Sequence, residues 1–231
     1  MHYPQPGDYI DIHNHDSMPV RDVFILDNLM AHEGKHPAHE NGMNYSLGIH
    51  PWFLNESNKA GLLEYVRKNA SDSSITAIGE AGFDKLKGPS MDLQRSVFEQ
   101  QAALSEELGK PLVIHCVKAW DELVASHKKL RPRMPWLVHG FRGKTELAMQ
   151  LISRNMFISF WFDFVIRPEA AALIRSLPAD RIFLETDGSG ADIKELYKKV
   201  STDLEKTVEE LKFQLLLNYC NLFKINILNT E

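Results

Sequence analysis

Six residues of this sequence are of the types that bind divalent cations in proteins, four histidines and two carboxylates. They are His13, His15, Glu80, His115, His139 and Asp187. A neutral imidazole offers a ring nitrogen to a cation, and a carboxylate both binds cations and offsets their charge. His13 and His15 are two residues apart, so both side chains point to the same face if they lie on a β-strand. The six residues predict a site for two divalent cations, provided that the fold brings them together.

Short apolar segments that alternate with longer amphipathic ones would position these residues. The segments predicted as strands are Asp8–His13, Asp22–Leu26, Tyr45–His50, Ile75–Glu80, Leu112–His115, Trp136–His139, Met156–Phe160 and Arg181–Glu185. Continuous apolar runs such as Leu112-Val113-Ile114 suit strands that are buried on both faces of a parallel sheet. Helices are predicted over Ser90–Leu108, Asp121–Leu130 and Thr145–Arg154, with one or two more within Asp203–Phe223.

Eight strands that alternate with helices predict one α/β domain over residues 1–231, a TIM-type (β/α)8 barrel. Only a short stretch separates the first two strands, so the first helix is expected to be reduced or missing. The polar stretch Ala31–Met43 is expected to be a loop. In such a barrel the carboxyl ends of the strands form one face, where catalytic sites are built. The six candidate ligands lie at or just past strand ends, so the fold is expected to bring them together.

Each of the six residues has a plainer interpretation when it is taken singly. A lone histidine at a strand end is more often a hydrogen-bonded structural residue, and Glu80 or Asp187 can cap a turn or a helix. Their joint occurrence at one end of the predicted strands favours the metal site, because a buried cluster of unpaired polar groups is costly without a cation.

The composition is that of an ordinary soluble protein, with 44% hydrophobic and 25% charged residues among 231. The formal net charge of −5 argues against a general nucleic-acid coat protein. Two cysteines are too few for a disulfide framework, which favours a reducing compartment. The N-terminal residues do not have the pattern of a signal peptide, and no apolar run approaches the ~20 residues that span a bilayer. We therefore expect a cytoplasmic monomer that makes no membrane contact.

Seven segments resemble, in the same order along the chain, the motifs of the TatD-like metal-dependent hydrolases. They are Ile12-His13-Asn14-His15, Gly48-Ile49-His50-Pro51-Trp52, Ala77-Ile78-Gly79-Glu80-Ala81-Gly82-Phe83-Asp84, Pro111-Leu112-Val113-Ile114-His115, His139-Gly140-Phe141, Glu185-Thr186-Asp187 and Asn221-Leu222-Phe223. The resemblance implies a TIM barrel, a two-metal site and hydrolysis, with deoxyribonuclease activity in the best-known members. It also implies a ligand assignment, with one cation on His13, His15 and Asp187, the other on His115 and His139, and Glu80 as the bridge between them.

The implied mechanism has Glu80 and Asp187 as catalytic residues. A cation lowers the pKa of a bound water towards ~7, and Asp187 is expected to act on that water as the general base. The second cation would polarise a phosphoryl or carbonyl oxygen. Mg²⁺, Mn²⁺ and Zn²⁺ all remain candidates for the two cations.

These features predict a phosphodiesterase or deoxyribonuclease that acts on DNA ends or on a related phosphoester. A metal-dependent amide or ester hydrolase of a small molecule, on the same barrel, is the alternative. A barrel that only binds a partner through structural metals is disfavoured, since nothing in that role requires Asp187 beside an open metal position.

Four residues near the ends of the motifs are predicted to contact the substrate, namely His50, Trp52, Lys118 and Phe141. Trp52 and Phe141 can stack on a base, and the Lys118 ammonium can contact a phosphate. For His50 the other interpretation is a histidine that is hydrogen-bonded beneath a turn.

Two positions depart from the family pattern and weaken the nuclease interpretation, and the first of them favours the alternative substrate. Val117 stands where the family often has an arginine, and Gly188-Ser189-Gly190 stands where it usually has a proline. A further carboxylate, Asp84, can orient a ligating histidine from behind, or it can pair with Lys85 or Lys87 at the surface.

Overall fold

The computed structural model describes residues 3–38 and 43–226 of the chain. Its eight strands form one sheet in which the strand order follows the chain. They are Tyr9–Asn14 (β1), Val23–Met30 (β2), Asn44–Gly48 (β3), Ile75–Asp84 (β4), Leu112–Val117 (β5), Trp136–Val138 (β6), Met156–Trp161 (β7) and Ile182–Glu185 (β8). Every strand pair whose register is described is parallel. Parallel strands in chain order are typical of the (β/α)8 fold, so the predicted fold class is confirmed.

Helices fill most of the connections between these strands. The α-helices of the described chain are Lys59–Asn69 (α1), Met91–Leu108 (α2), Trp120–Leu130 (α3), Thr145–Ile152 (α4), Phe162–Val165 (α5), Pro168–Ser176 (α6), Ile193–Asp203 (α7) and Val208–Phe223 (α8), with short 3-10 helices at Ala31–Glu33, Pro51–Phe53 and Ala179–Arg181. No helix lies between β1 and β2, so the first helix is missing, as the sequence predicted. None of the described helices is both long and apolar enough to cross a membrane.

The largest differences from the predicted elements concern where strands end. β4 continues past Glu80 to Asp84, because residues 81–84 pair in register with residues 114–117 of β5. The prediction that Glu80 ends its strand was therefore wrong, and Glu80 lies inside β4. β2 likewise runs on to Met30, and the expected loop over Ala31–Met43 begins with a 3-10 helix. Residues 39–42 of that loop lie outside the described part of the chain.

The chain divides into two compact units, which are described separately. The first unit is Asn28–Val138, and the second is His2–Asp27 together with His139–Glu231, as far as these residues are described. A single domain over residues 1–231, as inferred from the sequence, stays a prediction.

In the first unit, α2 covers β4 with an apolar face. Leu93, Val97 and Phe98 recur at helical spacing and are buried. The Phe98 ring centroid lies 4.6 Å from that of Phe83 and 5.3 Å from that of Trp136. These ring contacts tie the helix to β4 and β6 and so fix the strand that carries Glu80.

In the second unit, the two C-terminal helices hold β1 in place. The Tyr197 hydroxyl on α7 accepts a hydrogen bond from the Ile10 N–H (2.9 Å) and donates one to the Ile10 carbonyl oxygen (3.2 Å). Tyr219 on α8 packs its ring 4.9 Å from that of Phe24 on β2, the strand that pairs with β1. Because β1 leads directly into His13 and His15, the hydrogen bonds of Tyr197 to Ile10 also determine where the two histidines lie.

Gly82 of β4 provides a test of this packing. A Cβ at residue 82 would lie 1.8 Å from the His115 carbonyl oxygen of β5, and backbone cannot give way as a flexible side chain can. We expect Gly82→Ala to lower the free energy of unfolding by about 3 kcal/mol or more, as overpacked cores do. Urea denaturation followed by circular dichroism measures the change.

Gly61→Ala is the matched control, because a Cβ at residue 61 of α1 meets nothing within 4 Å. Alanine is the better helix former by roughly 0.5–1 kcal/mol, so this variant should be as stable as the parent protein or more so. Equal stability of the two variants would contradict the close approach of β4 and β5.

Candidate metal centres

In the first unit, three buried side chains converge on one point. His50, Glu80 and His115 each offer a ligand atom, and the three atoms lie within 4.8 Å of one another. Glu80 Oε1 is 3.1 Å from His50 Nε2 and 3.0 Å from His115 Nδ1. One carboxylate oxygen thus faces two imidazole nitrogens, a donor set that fits a first-row divalent cation.

His50 lies beneath a turn, which is the second of the two roles considered for it. It precedes the 3-10 helix Pro51–Phe53, and its Nδ1 accepts a hydrogen bond from the Trp52 N–H at 3.1 Å. In the neutral ring the proton is then on Nε2, directed at Glu80. His50 is only 4% exposed, so the structure makes it a neighbour of Glu80 rather than a surface contact.

Asp84 holds the other histidine of this cluster. Its Oδ2 lies 3.3 Å from His115 Nε2 and accepts a hydrogen bond of 2.6 Å from Trp52 Nε1, while Oδ1 accepts from the Leu86 and Lys87 N–H groups. Burial acts to raise the pKa of Asp84, but these hydrogen bonds outweigh it and the pKa is lowered. The ionised carboxylate therefore fixes the ring of His115 and leaves Nδ1 for a cation.

The possible surface pairs of Asp84 do not form. Lys85 pairs with Asp121 at 2.7 Å, and the Lys87 ammonium lies 3.7 Å from the ring centroid of Trp52. Asp84 is instead buried against His115.

Asn28 of β2 positions Glu80, a role that the sequence analysis missed. Its side-chain oxygen accepts a hydrogen bond from the Glu80 N–H (3.0 Å) and one from the Ser46 hydroxyl (3.0 Å), and its amide nitrogen lies 3.5 Å from Glu80 Oε2. The available signal was the polar pair Asp27-Asn28 inside an otherwise apolar strand. Such a pair is expected only where both groups find buried partners.

In the second unit, His13, His15 and Asp187 form another set of donors within 4.8 Å. The two Nε2 atoms of the histidines are 3.1 Å apart, and Asp187 Oδ1 lies 3.3 Å from that of His15 and 3.6 Å from that of His13. The His13 side chain is fully buried, whereas those of His15 and Asp187 are about one fifth exposed, at 21% and 22%. This cluster is thus open to solvent on its Asp187 side.

His139 and Glu185 adjoin the same carboxylate. Each offers a ligand atom within 4.8 Å of one from Asp187, and His139 Nδ1 lies 3.5 Å from Glu185 Oε1. The Glu185 carboxylate is fully buried and accepts hydrogen bonds from the Gly140 N–H and the Ser159 hydroxyl. Glu185 was not among the predicted site residues, although its position at the end of an apolar strand was a signal.

A hydrogen-bonded scaffold ties the end of β1 to the loop after β8. The Thr186 N–H and hydroxyl donate to the two carboxylate oxygens of Asp11 at 3.0 and 2.6 Å. Asn14 Oδ1 accepts from the N–H groups of His15 and Gly188, both at 2.8 Å. Burial raises the pKa of Asp11 to about 7, with the hydrogen bonds from Thr186 acting in the opposite direction. The loop that carries Asp187 is thus held against β1.

The remaining residues predicted to contact substrate differ in exposure. Trp52 is 40% exposed, and Lys118 is exposed with a left-handed backbone (φ 55°) just after Val117 at the end of β5. Phe141 has no exposed surface and packs in the core, its ring centroid 6.2 Å from that of Phe160. Its ring folds back over Gly143, where a Cβ would lie only 2.5 Å from the ring, so this conformation gives no surface for stacking on a base.

The structure thus groups the six predicted ligands by unit. Glu80 and His115 lie together in the first unit, with His50 as the added member. The four others, His13, His15, His139 and Asp187, lie together in the second, with Glu185 added. The bridging role implied for Glu80 stays a prediction.

Known proteins share both the sequence pattern and the fold. A family model described as TatD related DNase matches residues 27–224. The "Uncharacterized metal-dependent hydrolase YabD" of Bacillus subtilis is 26% identical over 182 residues, which are 71% of this chain and 71% of that protein. The "3'-5' ssDNA/RNA exonuclease TatD" of Edwardsiella piscicida is 32% identical over 152 residues, 62% of this chain and 56% of the relative.

Among solved structures, the TatD homologue YJJV of Escherichia coli K12 is similar with a TM-score of 0.78. The similarity covers 96% of this chain and 100% of that one at 21% sequence identity. At this level of identity the similarity concerns the fold, and it agrees with the barrel class inferred from the strand order.

The contact between Asp84 and His115 can be tested by metal binding. We expect Asp84→Asn to weaken Zn²⁺ binding by about 10–100-fold, as the loss of a carboxylate behind a ligating histidine commonly does. Competition with a chromophoric chelator measures the affinity, and circular dichroism checks the fold.

Asp121→Asn is the control, since Asp121 is an exposed carboxylate of the same unit that pairs with Lys85. Its Zn²⁺ affinity should match that of the parent protein. If both variants bind Zn²⁺ with the same affinity, Asp84 has no role in orienting His115 towards the cation.

Proposed function

Because this chain belongs to the family of TatD-related DNases, we propose that it hydrolyses phosphodiester bonds at the ends of DNA or of a related nucleic acid. The family expected from the seven motifs is confirmed, and with it the enzyme class of metal-dependent hydrolase. One observation carries the proposal for this chain's own chemistry. Asp187, partly exposed, lies beside the two histidines of the His13-Asn14-His15 segment.

We propose two cations per chain, one in each unit. His13, His15 and Asp187 would hold one cation, and Glu80 and His115 would hold the other, with His50 beside them as a hydrogen-bond partner of Glu80. Imidazole nitrogens in each set favour a first-row metal such as Zn²⁺ or Mn²⁺ over Mg²⁺. A bound divalent cation supplies Lewis acidity, which makes water more acidic and offsets negative charge on a phosphoryl oxygen.

The carboxylate of Asp187 has the position of a general base. Its 22% exposed side chain reaches solvent, while its Oδ1 stays within 3.6 Å of both histidine Nε2 atoms. Its backbone N–H donates to the His13 carbonyl oxygen at 3.2 Å. This hydrogen bond fixes the backbone position from which the Asp187 side chain extends. A carboxylate so held can accept a proton from water and orient that water for attack.

The identity of the substrate rests on the relatives. The exonuclease of Edwardsiella piscicida is named for single-stranded DNA and RNA, and the matched region is 56% of its length. Single-stranded DNA is therefore the first substrate proposed for this chain. A cytoplasmic location and a monomeric state stay predictions.

Activity against a 3'-labelled single-stranded oligodeoxynucleotide, with Mg²⁺, Mn²⁺ or Zn²⁺ added, tests the proposal. We expect metal-dependent cleavage, and we expect Asp187→Asn to reduce kcat by about 10²–10⁴-fold through loss of the general base. Asp180→Asn, which alters an exposed carboxylate of the same unit, should keep full activity.

Near-normal turnover in Asp187→Asn would contradict the role of Asp187. If the parent protein binds metal but cleaves no DNA with any of the three cations, the phosphodiesterase proposal fails. The amide or ester hydrolase would then be the hypothesis to test, with small-molecule substrates.

A further inference from the structure

One arginine of the second unit lies over an aromatic ring at the end of β7. The Arg142 guanidinium carbon is 4.1 Å from the ring centroid of Trp161, the last residue of β7. Arg142 comes three residues after His139, in the loop that follows β6. Its side chain is exposed, whereas that of Trp161 is half-buried and therefore offers a fixed surface.

Stacking on an indole leaves the binding edge of a guanidinium free. The ring covers one face of the planar group, but the N–H donors lie in the plane and point outward. Within the described part of the chain, Arg142 forms no ion pair and no hydrogen bond with another residue. Its donors are thus held in a defined orientation without a protein partner, a state that suits the binding of an anion.

The place of Arg142 follows from the residue that supports it. Trp161 pairs in register with Glu185 of β8, and Glu185 offers a ligand atom within 4.8 Å of those from His139 and Asp187. Arg142 thus lies next to the Asp187 cluster, and within the described residues it forms no ion pair with a carboxylate of that cluster.

We propose that Arg142 binds a phosphate group of the substrate next to the cluster of His13, His15 and Asp187. The inference rests on the proposed function, because it assigns a subsite to the same reaction. A guanidinium edge matches two oxygens of a phosphate, and such charge-assisted pairs are the strong ones. In a chain of net charge −5, this arginine supplies local positive charge that a polyanion needs to approach acidic ligands.

Binding of inorganic phosphate tests the subsite without any turnover. Phosphate is titrated calorimetrically into the metal-loaded full chain, and the parent protein is compared with Arg142→Gln. We expect the Kd to rise about tenfold or more in the variant, since a charge-assisted pair is lost. Arg142→Lys keeps the positive charge but loses the paired N–H donors of the guanidinium. Its Kd should therefore lie between that of the parent protein and that of Arg142→Gln.

Arg154→Gln is the control for the loss of one positive charge. Arg154 is half-buried in the same unit, and its guanidinium donates to the Gln150 carbonyl oxygen of the preceding helix α4. Its phosphate affinity should equal that of the parent protein. Any contribution of bound metal to the phosphate affinity is common to all four proteins, so the comparison isolates the side chain.

Steady-state cleavage of single-stranded DNA gives the second readout. We expect Arg142→Gln to raise KM by about tenfold while kcat changes little, because the arginine binds substrate and does not move a proton.

The two readouts separate the inference from the proposed function. If phosphate binding depends on Arg142 but DNA is not cleaved, the subsite stands and the proposed function fails. If DNA is cleaved while Arg142→Gln leaves both the phosphate Kd and KM unchanged, the subsite is overturned. A parent protein that binds no phosphate overturns it as well.

Discussion

The burial of ionisable side chains within strands and at their ends is the constraint on which the rest of this structure depends. Glu80 and Glu185 are almost completely removed from solvent, at 3% and 0% exposure, and a buried carboxylate without partners would be strongly destabilising. Each therefore has polar partners from other parts of the chain. The Asn28 amide nitrogen lies 3.5 Å from Glu80 Oε2, and the Gly140 N–H and the Ser159 hydroxyl donate to the Glu185 carboxylate. These networks fix the carboxylates in orientations that a cation can use, and the cores of the two units hold the strands that supply them.

The sequence predicted the strands well because a polar residue after an apolar run is a clear signal. It predicted less about what each polar group contacts. Asn28 and Glu185 lie within or at the end of apolar strands, and whether such a residue supports a site or belongs to it depends on the facing strands. Gly82 shows a further limit, since glycine usually weakens a strand. Here β5 approaches so closely that no side chain fits, and β4 continues to Asp84.

The candidate substrate contacts were less predictable than the metal ligands for the same physical reason. Most of the predicted ligands lie at or near a strand end, which the apolar pattern reveals, whereas a substrate contact depends on side-chain rotamers and loop conformation. Phe141 follows a predicted ligand by two residues, yet its ring turns into the core. Arg142, one residue further, turns outward onto Trp161.

The central claim is that two sets of imidazoles and carboxylates hold divalent cations, and anomalous X-ray diffraction tests it most directly. Crystals grown with Mn²⁺ would be measured at an energy where manganese scatters anomalously, and the peaks located in a difference map. We expect one peak among His13, His15 and Asp187, and another among His50, Glu80 and His115. Peaks only at surface carboxylates, with neither cluster occupied at saturating Mn²⁺, would contradict the account.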